Sequence, residues 1–148
     1  MLNKPIIVVA GEPYSVFLEI FFKSNKNFNF KKPIILIASK KLLIEQMKRL
    51  NFNFKINLVD ENESNFSNLN NKNINLIDVE FKFNRTFDKI SNKSNLYISK
   101  CFKIALELLK KKKFSGLING PISKKHFLKG KFLGITEYLA KKTINSNK

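Results

Sequence analysis

The segment from Phe114 to Leu139 constrains the fold most, because a short apolar run stops at a Gly-Pro break and is followed by a second helix start. Residues 115–119 (SGLIN) predict a buried strand. Gly120 lets the backbone leave the end of that strand without Cβ hindrance, and Pro121 fixes the direction of exit. Ligands of open α/β sheets bind at the carboxyl ends of strands, so the break predicts a ligand-binding turn.

Polar residues after the break indicate what the turn binds. Ser123 supplies a hydroxyl group and Lys124 a point positive charge. Thr136 is predicted as the N-cap of a helix whose first N–H groups are free to meet an anion. Glu137 then has two open interpretations, a first-turn carboxylate favoured by the helix dipole or a group of the site. Together these polar residues favour a phosphorylated small molecule as the ligand.

Apolar runs and amphipathic runs alternate along the rest of the chain. Strands are predicted at 5–10, 33–38, 54–59, 74–79 and 115–119, and helices at 39–50, 95–113 and about 136–143. A further helix after Pro13 would bury Val16, Phe17, Ile20 and Phe21. Residues 60–73 are polar and predict a surface loop, and residues 80–94 show no clear period. This alternation predicts an α/β fold with a mainly parallel sheet covered by helices on both faces.

Two motifs carry a resemblance to a known family. Asn119 to Lys124 (NGPISK), followed by Gly134 to Leu139 (GITEYL), resembles 4-hydroxythreonine-4-phosphate dehydrogenase of pyridoxal phosphate biosynthesis. Pro5 to Pro13 (PIIVVAGEP) is similar to the first strand and turn of that family. The resemblance extends from Lys4 to Lys142 and is loosest over residues 60–94. It implies the two-domain fold of the isopropylmalate-dehydrogenase type.

The resemblance also implies a reaction. An enzyme of this family oxidises 4-phosphooxy-L-threonine with NAD or NADP to a β-keto acid, which loses carbon dioxide to give 3-amino-2-oxopropyl phosphate. It uses a divalent metal such as Zn, Mg or Co and works as a homodimer with sites near the subunit boundary. The implied substrate-binding residues here are Thr136, Lys124, Ser123 and the position of the family histidine, where this chain has Ile135.

Length separates this chain from the family. Family members carry a second half that supplies the histidine ligands of the metal and most of the nicotinamide site. Residues 1–148 are therefore expected to be the N-terminal portion of such a dehydrogenase, apparently truncated and inactive by itself. Catalytic residues, cofactor-binding residues and metal ligands are assigned to none of its positions. His126 is the single histidine and is expected to be a solvated surface residue.

Charge opens a second class of function. The chain has 28 Lys+Arg against 11 Asp+Glu, a formal net charge of +17, which is compatible with a non-catalytic basic module that binds nucleic acid. Only Arg49 and Arg85 could supply the bidentate contacts that guanidinium groups make to bases and phosphates, so nucleic acid is disfavoured as a partner. Even spreading of the lysines would argue against this module, whereas clustering with exposed aromatic residues would favour it.

Further alternatives concern substrate and activity. Ile135 in place of histidine keeps open a related dehydrogenase of a four-carbon sugar-acid 4-phosphate, and a remnant without activity is also possible.

Cys101 lies on an apolar helix face and is expected to be a core residue. The sequence has no apparent signal peptide and no run long enough to span a bilayer, so a cytoplasmic location without membrane contact is predicted.

Overall fold

Five parallel strands form one sheet in the computed structural model, which describes residues 4–145. The strands are β1 (Ile6–Val9), β2 (Ile34–Ala38), β3 (Ile56–Leu58), β4 (Ile74–Asp78) and β5 (Gly116–Asn119). Their order across the sheet is β3-β4-β2-β1-β5, and every neighbouring pair is parallel. All five predicted strands are confirmed.

Within residues 4–145, four α-helices connect or follow the strands. They are α1 (Phe17–Asn27), α2 (Lys40–Arg49), α3 (Asn95–Lys110) and α4 (Ile135–Asn145). A 3₁₀ turn at Asn92–Ser94 leads into α3, and one π-helical turn occupies Lys124–Leu128. No described helix has both the length and the apolar character needed to cross a membrane.

Helices cover both faces of the sheet, as predicted. Alternate strand residues point to opposite faces. Val8 and Leu36 pack with Phe22 of α1 on one face, whereas Ile7 and Ile35 belong to the core on the other face. The second core also contains the buried residues of α3, which are Tyr97, Ile98, Cys101, Phe102, Ile104, Ala105 and Leu108. The α/β prediction is therefore confirmed.

The topology places a switch point between β1 and β5. β1 pairs with β2 on one side and with β5 on the other. The chain leaves β1 through α1 on one face and reaches β5 through α3 on the opposite face. In open parallel sheets the crevice outside the carboxyl ends of such strands is the usual ligand site.

Two predictions of burial are wrong. β5 is an edge strand, because only β1 pairs with it, and its Ile118 is 53% exposed where a buried strand was predicted. Of the apolar residues predicted to be buried around α1, Phe21 is buried and Phe17 packs against the core, whereas Val16 and Ile20 are mostly exposed and Leu18 is buried instead. An apolar residue at helical spacing can remain in solvent when the helix has enough other large side chains to bury.

Local predictions around the sheet hold. The Ser39 hydroxyl accepts from the backbone N–H of Leu42 and caps α2 as predicted. Cys101 is 1% exposed in the core, where burial raises the pKa of its thiol to about 12. Residues 60–73 contain no helix or strand, which agrees with the predicted loop.

Candidate functional site

The turns after β1 and β5 pack directly against each other at the switch point. The backbone N–H of Gly120 donates to the carbonyl oxygen of Val9 at 2.7 Å, and that of Glu12 donates to Pro121 at 2.9 Å. A Cβ atom on Gly120 would overlap the carbonyl oxygen of Ala10, and one on Gly11 would lie 2.5 Å from that of Pro121. Both glycines are needed because two backbones meet there.

The buried side chain of Glu12 stabilises this contact between the two turns. It is 2% exposed, and its carboxylate accepts the Ser94 hydroxyl at 2.9 Å and the Ser123 backbone N–H at 3.2 Å. Ser94 directly precedes α3, and Ser123 precedes the π-helical turn, so the starts of two helical segments meet one negative charge. Helix N-termini favour such a charge. Glu12 therefore ties together the ends of β1 and β5 and the start of α3.

A small cleft, here called the β5 cleft, opens beside this junction at the carboxyl end of β5. Its volume is about 380 Å³. The lining residues are Phe17, Asn119, Gly120, Pro121, Ile122, Lys124, Leu128, Gly134 and Ile135. Of the four predicted site residues, Lys124 and Ile135 line it, whereas Ser123 and Thr136 do not. Lys124 is the single charged group among walls that are otherwise mostly apolar.

Thr136 is not the N-cap that was predicted. The α4 helix begins at Ile135, and the carbonyl oxygen of Gly134 already accepts the N–H of Tyr138 at 3.3 Å, so the chain is helical before Thr136. Thr136 lies exposed in the first turn. The Glu137 carboxylate accepts the N–H of Leu133, two residues before the start of α4, at 2.7 Å. This contact gives Glu137 a structural role.

Ser123 has a local structural function in this arrangement. Its hydroxyl accepts the backbone N–H of His126 at 3.0 Å and caps the π-helical turn. His126 is half-buried rather than fully solvated, with Nδ1 3.1 Å from Oδ1 of Asn92. The turn that carries Lys124 is thus anchored to the segment before α3.

A second and larger cleft, here called the basic cleft, lies above β4 and the start of α3. Its volume is about 680 Å³. The lining comprises Lys41, Lys82, Lys89, Lys93, Glu80, Asp88, Tyr14, Phe81, Phe83, Asn84, Ser91 and Ser94. Burial, and to a smaller degree the Asp88 carboxylate, raises the pKa of Tyr14, whose hydroxyl donates to the carbonyl oxygen of Arg85 at 3.2 Å. Sequence reasoning missed this cleft because its main segment, residues 80–94, has no periodic pattern.

The described residues do not fit the metal that the resemblance implies. Residues 4–145 hold no cluster of three or more His, Cys, Asp and Glu side chains able to bind one. For a dinucleotide, the chain has no Gly-x-Gly-x-x-Gly run. Beside each of the glycines that follow β1 and β5, backbone atoms of the other turn occupy the space that a ligand would need. No cradle for a pyrophosphate therefore opens there.

The lysines are distributed over several parts of the molecule. Four line the basic cleft at the carboxyl edge of the sheet. Lys26, Lys31 and Lys72 line a different cleft, beside the amino ends of the strands. Others, such as Lys100 and Lys103, lie along the groove between α3 and α4. The positive charge is therefore spread and does not form a single face.

Solved structures with the same fold are dehydrogenases by name. A 4-hydroxythreonine-4-phosphate dehydrogenase from Burkholderia phymatum is 21% identical with a TM-score of 0.77, covering 95% of this chain and 44% of that protein. A putative enzyme of the same name from Salmonella typhimurium is 18% identical with a TM-score of 0.76, covering 93% and 44%. One from Klebsiella pneumoniae is 18% identical with a TM-score of 0.69, covering 83% and 38%. The chain thus spans less than half the length of these proteins.

Sequence comparison identifies the family. A search of curated proteins gave no match. The family model for the pyridoxal phosphate biosynthetic protein PdxA matches residues 29–148, which is most of the chain and includes the β5 cleft apart from Phe17. The resemblance seen in the two sequence motifs is confirmed, and the chain belongs to the PdxA family of pyridoxal phosphate biosynthetic proteins.

Proposed function

We propose that this chain is the N-terminal part of an NAD-dependent dehydrogenase that acts on 4-phosphooxy-L-threonine in pyridoxal 5′-phosphate biosynthesis. The family match over residues 29–148 is the observation that carries the proposal. The structural neighbours support it by fold, and their names give the substrate class. The complete enzyme would have the isopropylmalate-dehydrogenase type of fold and would act in the cytoplasm as a homodimer.

The β5 cleft is proposed as the part of the substrate site that this chain contributes. Lys124, which is exposed at the edge of the cleft, would hold the phosphate as a point charge beside mostly apolar walls. The side chain of Ile135 can neither donate nor accept a hydrogen bond. At this position the hydrogen bond of the family histidine would therefore be replaced by apolar contact with the substrate. Thr136 would contact only a substrate group that extends to the exposed first turn of α4.

The chemistry assigned to the complete enzyme divides into two steps. Oxidation of the substrate's secondary alcohol would come first, with a nicotinamide cofactor, held by residues outside this chain, supplying the hydride acceptor and a base taking the hydroxyl proton. The β-keto acid so formed would then lose carbon dioxide and give 3-amino-2-oxopropyl phosphate. The residues of this chain would bind and orient the phosphorylated substrate, while Zn, Mg or Co would be held by residues outside it.

Calorimetric titration of the 148-residue chain with 4-phosphooxy-L-threonine tests the binding role. We expect Lys124→Gln to weaken binding about tenfold, which corresponds to the loss of one charged contact. Lys125→Gln is the matched control, because Lys125 is the exposed neighbour in the same turn and does not line the β5 cleft. Equal affinities for the two variants would contradict the proposed role of Lys124.

Turnover is tested in the same samples by absorbance of the reduced nicotinamide, with NAD or NADP and with Zn, Mg or Co added. We expect binding without turnover, because the described residues offer no metal cluster. Turnover by the chain alone would show that the catalytic groups lie within it. An apparent affinity higher for a four-carbon sugar-acid 4-phosphate than for 4-phosphooxy-L-threonine would favour the related dehydrogenase.

A basic nucleic-acid-binding module is the competing function. The lysines line clefts at both ends of the sheet and the groove between α3 and α4, which is the even spread that disfavours such a module. A filter-binding titration with single-stranded RNA should therefore show only weak binding that declines steeply with salt.

A further inference from the structure

The basic cleft is separate from the β5 cleft and has different chemistry. None of the residues that line one cleft lines the other. The β5 cleft offers one ammonium group among mostly apolar walls, whereas four ammonium groups line the basic cleft. Its volume of about 680 Å³ falls within the range of small-molecule sites. It also lies at the carboxyl edge of a parallel sheet, where such sites occur.

The four lysines come from three different segments. Lys41 is in the first turn of α2, Lys82 follows β4, and Lys89 and Lys93 belong to the stretch that leads into α3. Within the described residues, none of the four forms an ion pair with a carboxylate. Four like charges around one cleft repel each other, so a bound anion would relieve that repulsion.

Two acidic side chains limit how much negative charge the cleft accepts. Glu80 and Asp88 line it together with the four lysines. Oδ1 of Asp88 accepts the backbone N–H of Lys89 at 2.8 Å. The lysines outnumber the acids, which favours a compact dianion over a long polyanion such as a nucleic acid strand.

Aromatic rings supply the remaining wall. Tyr14 and Phe81 meet edge to face with centroids 5.8 Å apart, and Phe81 and Phe83 are stacked at 6.3 Å. Tyr14 and Phe83 are only partly buried, so their rings can contact a ligand. A flat ring gains both apolar burial and favourable ring geometry against such a wall.

We propose that the basic cleft binds a small phosphate ester that carries an aromatic ring, with the phosphate among Lys41, Lys82, Lys89 and Lys93 and the ring against Tyr14 and Phe83. This site is independent of the function proposed for the β5 cleft. Ser94 lines the basic cleft and donates to the buried Glu12, which also accepts from Ser123 beside the β5 cleft. A ligand in the basic cleft would therefore lie two hydrogen bonds from the turn that carries Lys124.

Phenyl phosphate is the simplest probe, and calorimetric titration of the whole 148-residue chain is the test. We expect saturable binding at one site. Lys82→Gln combined with Lys93→Gln should weaken it about tenfold or more, because two charged contacts are lost. Lys100→Gln combined with Lys103→Gln is the matched control, since these exposed lysines lie on α3 outside the cleft. The far-ultraviolet spectrum and melting temperature of each variant verify that it folds.

Several results distinguish this site from its alternatives. Absence of saturable phenyl phosphate binding at millimolar concentration would overturn the proposal, and so would an equal loss of binding in the two double variants, which would indicate a diffuse positive surface. Equal affinity for inorganic phosphate would overturn the aromatic part. Phenyl phosphate binding that Lys124→Gln weakens and the Lys82 and Lys93 double variant does not would place the probe in the β5 cleft and overturn the proposal for the basic cleft, without affecting the role proposed for Lys124.

Discussion

Replacing Glu12 with alanine should destabilise the fold by about 3–5 kcal/mol, although Glu12 lies in a turn. The carboxylate is 2% exposed, so solvent screening does not reduce the effect. It accepts the Ser94 hydroxyl and the Ser123 N–H, and each charged hydrogen bond is worth about 1.5–3 kcal/mol. The alanine variant loses both bonds and leaves the partly buried N–H of Ser123 without this acceptor. Glu12→Gln keeps the shape and one acceptor oxygen and should lose about 1–2 kcal/mol.

Urea unfolding followed by circular dichroism measures these differences, with the slope of the transition compared to verify that unfolding stays cooperative. Glu19→Ala is the matched control, because Glu19 is on the partly exposed surface of α1 and forms an ion pair with Lys23, an interaction worth about 0.3–0.5 kcal/mol. A loss for Glu12→Ala no larger than that for Glu19→Ala would refute the idea that Glu12 fastens the two turns.

Three further predictions concern stability. Gly120→Ala should lower the free energy of unfolding by about 2 kcal/mol or more, because its Cβ would overlap the Ala10 carbonyl oxygen. Gly116→Ala is the control and should change it little, since no atom lies within 4 Å of the Cβ position. Equal effects of the two changes in urea unfolding would contradict the account of turn packing. Cys101 should not react with a thiol reagent until the protein unfolds. Because folding raises the pKa of its thiol from 9.0 to about 12, the free energy of unfolding should fall as pH rises above about 9, and the fall should be shallower in Cys101→Ala. Ser39→Ala should lower the free energy of unfolding by about 1 kcal/mol through loss of the cap on α2, and an unchanged urea midpoint would contradict that role.

The sequence was sufficient for the sheet and for the fold class. All five strands were predicted from short apolar or alternating runs, and the cap at Ser39 and the buried face of α3 followed from local pattern. These features depend on periodicity, which a single chain displays directly. The exposure of Ile118 was not predictable, because burial of a strand depends on which strands lie beside it.

The site was predicted only in part, for a similar reason. Lys124 and Ile135 lie eleven residues apart in the sequence and line one cleft, as the motif suggested. Glu12 and Ser123 are separated by 111 positions, and their hydrogen bond arises from the pairing of β1 with β5. The one available signal was an acidic residue between Gly11 and Pro13 directly after a buried strand. The basic cleft is built mainly from residues 80–94, which show no clear period, and is completed by Tyr14 and Lys41 from distant parts of the chain.

The central claim is that the β5 cleft receives the phosphorylated substrate. Nuclear magnetic resonance of the ¹⁵N-labelled chain, titrated with 4-phosphooxy-L-threonine, tests it most directly. The account predicts that the amide signals of Lys124, Gly134 and Ile135 shift together with one dissociation constant, while those of Lys82 and Lys93 stay in place. Shifts confined to the basic cleft, or no saturable shift in either cleft, would contradict it.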